Sequence, residues 1–173
     1  MCYGVVCVSG GGDALSAIKL VQATELKRFN FFPVVGGFQN DFLKDGDGDI
    51  FVSGENGFDT VNGNAGNNRL SGGAGFDTLN GSSGDDILTG NFHADIFVFD
   101  NGFGNDVITD FDQANAIEAI DLSAVIQIDD FADLIANHLG EDVNGNAVIT
   151  AGINTLTLTG IDMGDLEAGD FIF

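Results

Sequence analysis

The stretch from Gly36 to Val98 divides into ninths: GGFQNDFLK (36–44), DGDGDIFVS (45–53), GENGFDTVN (54–62), GNAGNNRLS (63–71), GGAGFDTLN (72–80), GSSGDDILT (81–89) and GNFHADIFV (90–98). The register never slips. The eighth position reads Leu43, Val52, Val61, Leu70, Leu79, Leu88, Phe97, and the sixth reads Asp41, Ile50, Asp59, Asn68, Asp77, Asp86, Asp95. Glycine holds the first position in six of the seven repeats and the fourth in five. Six glycine-rich residues make a turn, because glycine supplies the positive φ that tight turns need. The last three make a strand, whose alternation sends the eighth residue to one face and its neighbours to the other. A lone ninth cannot bury that residue, so the repeats must stack. The composition alone would also suit a solvated acidic Gly/Asn linker, but the unbroken apolar column would not.

The pattern Gly-Gly-x-Gly-x-Asp-x-apolar-x is a signature of calcium-binding parallel β-helices, and the chain resembles the RTX (repeat-in-toxin) family of secreted proteins. The resemblance implies an all-β-dominated fold, a parallel β-roll in which two successive repeats make one turn. Repeats two apart then stack about 4.8 Å from one another. Asp41, Asp59, Asp77 and Asp95 would climb one edge, and Ile50, Asn68 and Asp86 the other. Carboxylates about 5 Å apart repel by about 3 kcal/mol at an effective dielectric of 20. A hard divalent cation between them reverses the sign. Calcium fits best, since it accepts many oxygen ligands in flexible geometry, backbone carbonyls included.

The expected metal ligands are therefore Asp41, Asp59, Asn68, Asp77, Asp86 and Asp95, with the turn glycines Gly57, Gly73, Gly75 and Gly84. The first edge offers the gaps 41–59, 59–77 and 77–95. On the second, Ile50 and Asn68 leave 68–86 as the one site. His93 replaces a turn glycine and weakens the 77–95 gap. About three or four calcium ions are expected.

Bulk properties agree. Five Lys+Arg face 27 Asp+Glu, a formal net charge of −22, and no Lys or Arg follows Arg69. Such a surface repels nucleic acid and anionic membranes and favours cations. It would equally suit simple solubility or a salt-adapted surface. No apolar run approaches a membrane span, so no membrane insertion is expected. Cys2 and Cys7 match no metal spacing, and a local bridge and free thiols are both open to them. Without a basic n-region before Val5–Val8, a cleaved leader is not expected.

Three regions follow from the pattern. In 1–35, residues 1–12 look irregular and Asp13 caps a helix over about 14–29, with Leu15, Ile18, Val21 and Phe29 on its apolar face. This helix would close the open end of the roll or be the tail of an upstream domain. Residues 36–109 are the ion-binding roll, whose last repeat, NGFGNDVIT (101–109), follows the inserted Phe99 and Asp100 and puts Asp106 sixth and Ile108 eighth.

Residues 110–173 form a strand-rich cap. A helix spans Phe131–Leu139, capped by Asp129 or Asp130 and ended by Gly140. Asn144-Gly145 makes a hairpin turn, strands run Ala147–Thr150 and Thr155–Thr159, and Asn154 lies in a second turn. The segment ADIFVFDNGFGNDVITDFD with AIDLSAV (119–125) is similar to the C-terminal module of serralysin-type metalloproteases and related type I secreted proteins. Asp170-Phe171-Ile172-Phe173 resembles their C-terminal export signal. That likeness implies an extracellular location and a type I secretion machinery as partner.

Catalytic patterns are not found in the sequence. His93 and His138 form no His-Glu-x-x-His, so the likeness covers the accessory module of the metalloproteases and not their protease. No nucleophile elbow and no phosphate-binding loop is present. Aspartates that recur every nine residues suit a structural ladder rather than one catalytic pair. The expectation is a calcium-binding module and not an enzyme. An accessory piece of a secreted hydrolase is the alternative. An adhesive module would need an exposed stripe at the seventh position. That column (Phe42, Phe51, Thr60, Arg69, Thr78, Ile87, Ile96) is too mixed to supply one.

Overall fold

The computed structural model describes residues 6–7, 33–44 and 46–173. The expected helix over 14–29, its cap Asp13, and the side chains of Cys2 and Cys7 lie outside the described residues. Strands are numbered in chain order. One sheet has nine: β1 (Val6–Cys7), β2 (Val34–Gly37), β4 (Phe51–Asn56), β6 (Arg69–Ala74), β8 (Ile87–Phe92), β10 (Asn105–Ile108), β14 (Asn154–Leu158), β13 (Ala147–Ala151) and β12 (Leu139–Glu141), in that spatial order. The other has six: β15 (Phe171–Ile172), β11 (Ala119–Ala124), β9 (Ile96–Asp100), β7 (Thr78–Asn80), β5 (Thr60–Asn62) and β3 (Phe42–Lys44).

Through the repeats the chain alternates between the sheets, so every neighbour within a sheet is parallel. Val52 pairs with Leu70 and Leu70 with Leu88 in one sheet; Leu43 pairs with Val61 and Val61 with Leu79 in the other. Two ninths thus make one turn of a parallel β-roll, as the repeat implies. The eighth-position residues Leu43, Val52, Val61, Leu70, Leu79, Leu88 and Phe97 are all buried in one continuous core with Ile108.

The two sheets do not use their strands equally. β3, β5 and β7 have the expected three residues, whereas β4, β6 and β8 run on for six, into the next turn. Glycine makes this extension feasible. A Cβ at Gly54 would meet the Gly72 carbonyl oxygen at 2.5 Å and the side chain of Asp59. The bare backbone can therefore stay extended against the rung above it. Residues 1–12, expected to be irregular, contribute β1, which pairs with β2 through Val6 with Val34 and Cys7 with Val35.

Beyond Val98 the two inserted residues lengthen one turn. Phe99 and Phe103, both buried, meet edge-to-face at 5.2 Å and fill the widened end of the core. The cap continues both sheets. β11 lies parallel on β9, and β15 lies parallel on β11 through Ile120 with Phe171. β14 lies parallel on β10, and β13 and β12 follow antiparallel.

Asp130 caps the short helix by accepting from the Asp133 backbone N–H at 2.8 Å. Only Phe131–Asp133 is α-helical, and Leu134–His138 is wound as a π-turn. Leu139 and Gly140 belong to β12 and not to the helix end, because pairing with Ile149 and Val148 draws the chain straight into the sheet. Asn144-Gly145 forms the hairpin turn, with Gly145 at φ 81°. Asn154 opens β14 rather than sitting in the preceding turn, since it pairs with Ala151.

Candidate metal centre

The sixth-position side chains form two ladders, one along each turn edge of the roll. On the first edge, Oδ1 of Asp59 accepts from the Asp41 N–H at 2.7 Å, Asp77 from Asp59 at 2.8 Å, and Asp95 from Asp77 at 2.8 Å. On the second edge, Asn68 accepts from Ile50 at 3.1 Å, Asp86 from Asn68 at 2.7 Å, and Asp106 from Asp86 at 2.8 Å. One oxygen of each side chain is thereby spent fixing the rung below it.

The other oxygen has no protein partner. Oδ2 of Asp59, Asp77, Asp86, Asp95 and Asp106 is buried without a hydrogen bond. An unpaired buried oxygen is costly, and a buried charge more so. Burial accordingly raises every one of these groups above the ordinary aspartate value. Asp59 and Asp86 reach about 6, Asp95 about 7 and Asp106 about 8, each through loss of water first, offset by the backbone hydrogen bond and augmented by acidic neighbours. Asp77 and Asp41 are raised for the same leading reason. Protons or cations are the two ways to settle such oxygens.

Asn68 shows which other atoms face this position. Its Nδ2 donates to the carbonyls of Gly63 at 3.1 Å and Gly66 at 3.0 Å, the first and fourth residues of its own turn. An amide donor thus stands where its neighbours carry a bare carboxylate oxygen. Backbone carbonyls therefore lie within hydrogen-bond reach of this sixth side chain. The carbonyl of Gly72 lies by Asp59 near Gly54, and that of Gly90 by Asp77 near Gly72. Among the described residues no three acidic, histidine or cysteine side chains converge on a point. A cation here would therefore draw most of its oxygens from the backbone, as calcium readily does and magnesium does not.

The expected residues are placed unevenly. Asp59, Asp77, Asp86 and Asp95 share the full arrangement, whereas Asp41 opens the first ladder and is only half-buried. Asn68 lies in the second ladder, but its amide already occupies two carbonyls. Gly57, Gly73, Gly75 and Gly84 all take positive φ, and the carbonyl of Gly57 points at Gly75 as that of Gly84 points at Gly104. His93 keeps the glycine conformation at φ 80° and leans on Phe76 at 5.9 Å. The Asp77–Asp95 hydrogen bond beside it is as short as its neighbours.

Asp106 was not among the expected ligands although it completes the second ladder. The altered repeat places it sixth, and the two-residue insertion only changes the rung spacing from 18 to 20. Glu118 was missed altogether. It precedes β11 as Asp95 precedes β9, the Ala119 N–H donating to the Asp95 carbonyl at 3.0 Å as Ile96 does to Asp77 at 2.9 Å. It is buried and raised to about 7, by burial first and then by Asp110 and Asp112.

A parallel roll whose turns carry buried, unpaired carboxylates close to backbone carbonyls has the donor set of a cation-binding repeat module. Residues 34–61, 51–79 and 71–108 match the RTX calcium-binding nonapeptide repeat in its four-copy form, so the roll is built of RTX calcium-binding repeats. Among solved structures, the chain is similar to the AlgE6R2 subunit of the Azotobacter vinelandii mannuronan C5-epimerase, at 24% identity over 76% of this chain and 91% of that one, with a TM-score of 0.58. That likeness is one of fold. The AlgE6R3 subunit of the same epimerase aligns at 26% identity over 81% of each chain, TM-score 0.34. The extracellular lipase LipA of Serratia marcescens aligns at 16% identity over 82% of this chain and 40% of its own length, TM-score 0.44. No curated protein matches by sequence.

Proposed function

We propose that this chain is the calcium-responsive folding module of a secreted protein, with residues 36–109 as the ion-binding roll and 110–173 as its cap. The observation that carries the reading is the set of five buried aspartate oxygens left without partners. Asp59, Asp77, Asp86, Asp95 and Asp106 would each supply that oxygen, and the carbonyls of the turn glycines, Gly57, Gly75 and Gly84 among them, would complete each shell. Bound calcium supplies fixed positive charge that cancels the ladder's repulsion. Without it, self-repulsion and the entropy of a glycine-rich chain oppose a core only two sheets thick.

An acidic chain kept open in calcium-poor cytosol suits export by a type I machinery, and millimolar calcium outside would then pull it into the folded state. With calcium at ten times its dissociation constant, each site adds about 1.4 kcal/mol. Three or four such sites rival the stability of an ordinary domain. The module's role is structural and not catalytic. Calcium titration of the intact chain, followed by circular dichroism and native mass spectrometry, tests this. A chain equally folded in excess EDTA would end the reading.

A second reading treats the chain as an accessory module of a longer enzyme. The similar AlgE6R2 fold is itself a subunit of an epimerase, which makes this a fold analogy only. An adjoining catalytic reading frame would support it.

A further inference from the structure

The two turn edges of the roll carry different side chains at the same repeat positions. On the second edge the fifth position reads Asp49, Asn67, Asp85, Asn105, and each of the first three accepts from the backbone N–H of the next rung. Asn67 donates to Asp49 at 2.8 Å, Asp85 to Asn67 at 3.0 Å and Asn105 to Asp85 at 3.0 Å. On the first edge only Asn40 does this, for the Phe58 N–H at 2.9 Å. The next two rungs present Phe58 and Phe76, whose rings cannot accept such a bond. The fold has a favourable polar solution at this position and does not use it here.

The rings are not spent on the core. Phe58 is 57% exposed and Phe76 47%, and they meet edge-to-face at 5.4 Å, with His93 continuing the row at 5.9 Å. At the third position of the same edge stand Phe38, 89% exposed, and Phe92, 71% exposed. Phe38 and Phe92 stand at the two ends of that column, with Asn56 and Ala74 between them. Taking about 200 Å² per phenylalanine, the four expose about 500 Å² in total along the edge.

We propose that this aromatic edge is a docking strip for a short cationic segment of another protein, with Lys or Arg interleaved among apolar residues. Charge complementarity selects the occupant. The chain carries −22, and Lys44 and Arg69 are the only Lys or Arg among the described residues. Glu55 flanks the strip, as does Asp110, which accepts from the N–H groups of Gly90 and Asn91. A basic residue gains from this field and from the faces of the phenyl rings. Area argues for a short segment, since about 500 Å² falls below the roughly 800 Å² per partner of a stable protein pair. A second copy of the chain would meet its own charge. The perpendicular rings offer no flat platform for a sugar.

The test uses the full chain in saturating calcium. The probe is a twelve-residue peptide alternating Lys and Leu with one Trp, whose fluorescence is unambiguous because the chain has no Trp. The expected result is saturable binding that weakens with salt, a loss of at least tenfold in F58S/F76S, and less than a twofold change in D49N/D85N on the opposite edge. Circular dichroism confirms that each variant stays folded, which separates this test from that of calcium-driven folding. The milder pair F58L/F76L should bind more weakly than wild type if the double serine variant fails to fold. Equal binding by wild type and the phenylalanine variants would overturn the proposal. So would a concentration-dependent dimer, or binding to phosphatidylcholine vesicles, that the F58S/F76S change abolishes while leaving peptide binding intact.

Discussion

Replacing Asp77 by Asn should change the sign of its effect with calcium. Asp77 belongs to two gaps of the first ladder, toward Asp59 and toward Asp95. Asn68 shows how an amide behaves on a rung: its oxygen holds the hydrogen bond to the rung below and its Nδ2 takes two turn carbonyls. By register, Asn at position 77 would keep the bond from the Asp59 N–H and donate to the carbonyls of Gly72 and Gly75. In EDTA at pH 8 it removes one of three neighbouring negative charges. Each contact is worth about 3 kcal/mol at about 5 Å and a dielectric of 20, and screening leaves an expected gain of about 1–3 kcal/mol. In calcium at a hundred times its dissociation constant, each lost site forfeits about 2.7 kcal/mol. Two lost gaps outweigh the gain, for a net loss of about 2–4 kcal/mol. Urea denaturation followed by circular dichroism in EDTA and in calcium measures both, and isothermal titration counts the ions. A variant that is destabilised to the same extent in both, or that binds as many ions as the wild type, refutes the reasoning.

The remaining expectations follow from the same atoms. Asn68→Asp should do the reverse, raising the ion count by one and lowering stability in EDTA, as read by titration and urea melts. The folded-state values of Asp59, Asp86, Asp95 and Asp106 lie at about 6 to 8, above the ordinary value of 3.8. Protonation therefore favours the folded chain, and its contribution is full below about pH 4 and lost as pH rises through 6 to 8. In EDTA the urea midpoint should be higher at pH 5 than at pH 8. Calcium binding should release protons across that window, seen as a buffer-dependent heat. Gly84→Ala should cost more than 2 kcal/mol, because φ is 133° and the new Cβ would lie 2.6 Å from the Gly66 carbonyl carbon. Gly140→Ala, with open space around it, should cost under 1 kcal/mol in the same melt. Leu79→Ala should cost about 3 kcal/mol with calcium or without it, since it empties the shared core.

The sequence by itself determined the roll. A period of nine with an apolar eighth residue has one efficient packing, and Leu43 through Phe97 occupy the buried column it demands. The rung aspartates were legible for the same reason, because strict periodicity fixes their stacking before any coordinate is known. Only the tertiary structure decided what happens where the period breaks. Asp106, sixth in its altered repeat, joins its ladder across a turn two residues longer, and Glu118 lies outside the period altogether, its carboxylate accepting from the Asp112 N–H. Gly140 became a strand residue because β13 offers a pairing partner that no local helix-end signal foresees. The aromatic edge emerged the same way. Third and fifth positions of alternate repeats share an edge only once the chain has coiled, and a column read down consecutive repeats mixes the two edges together.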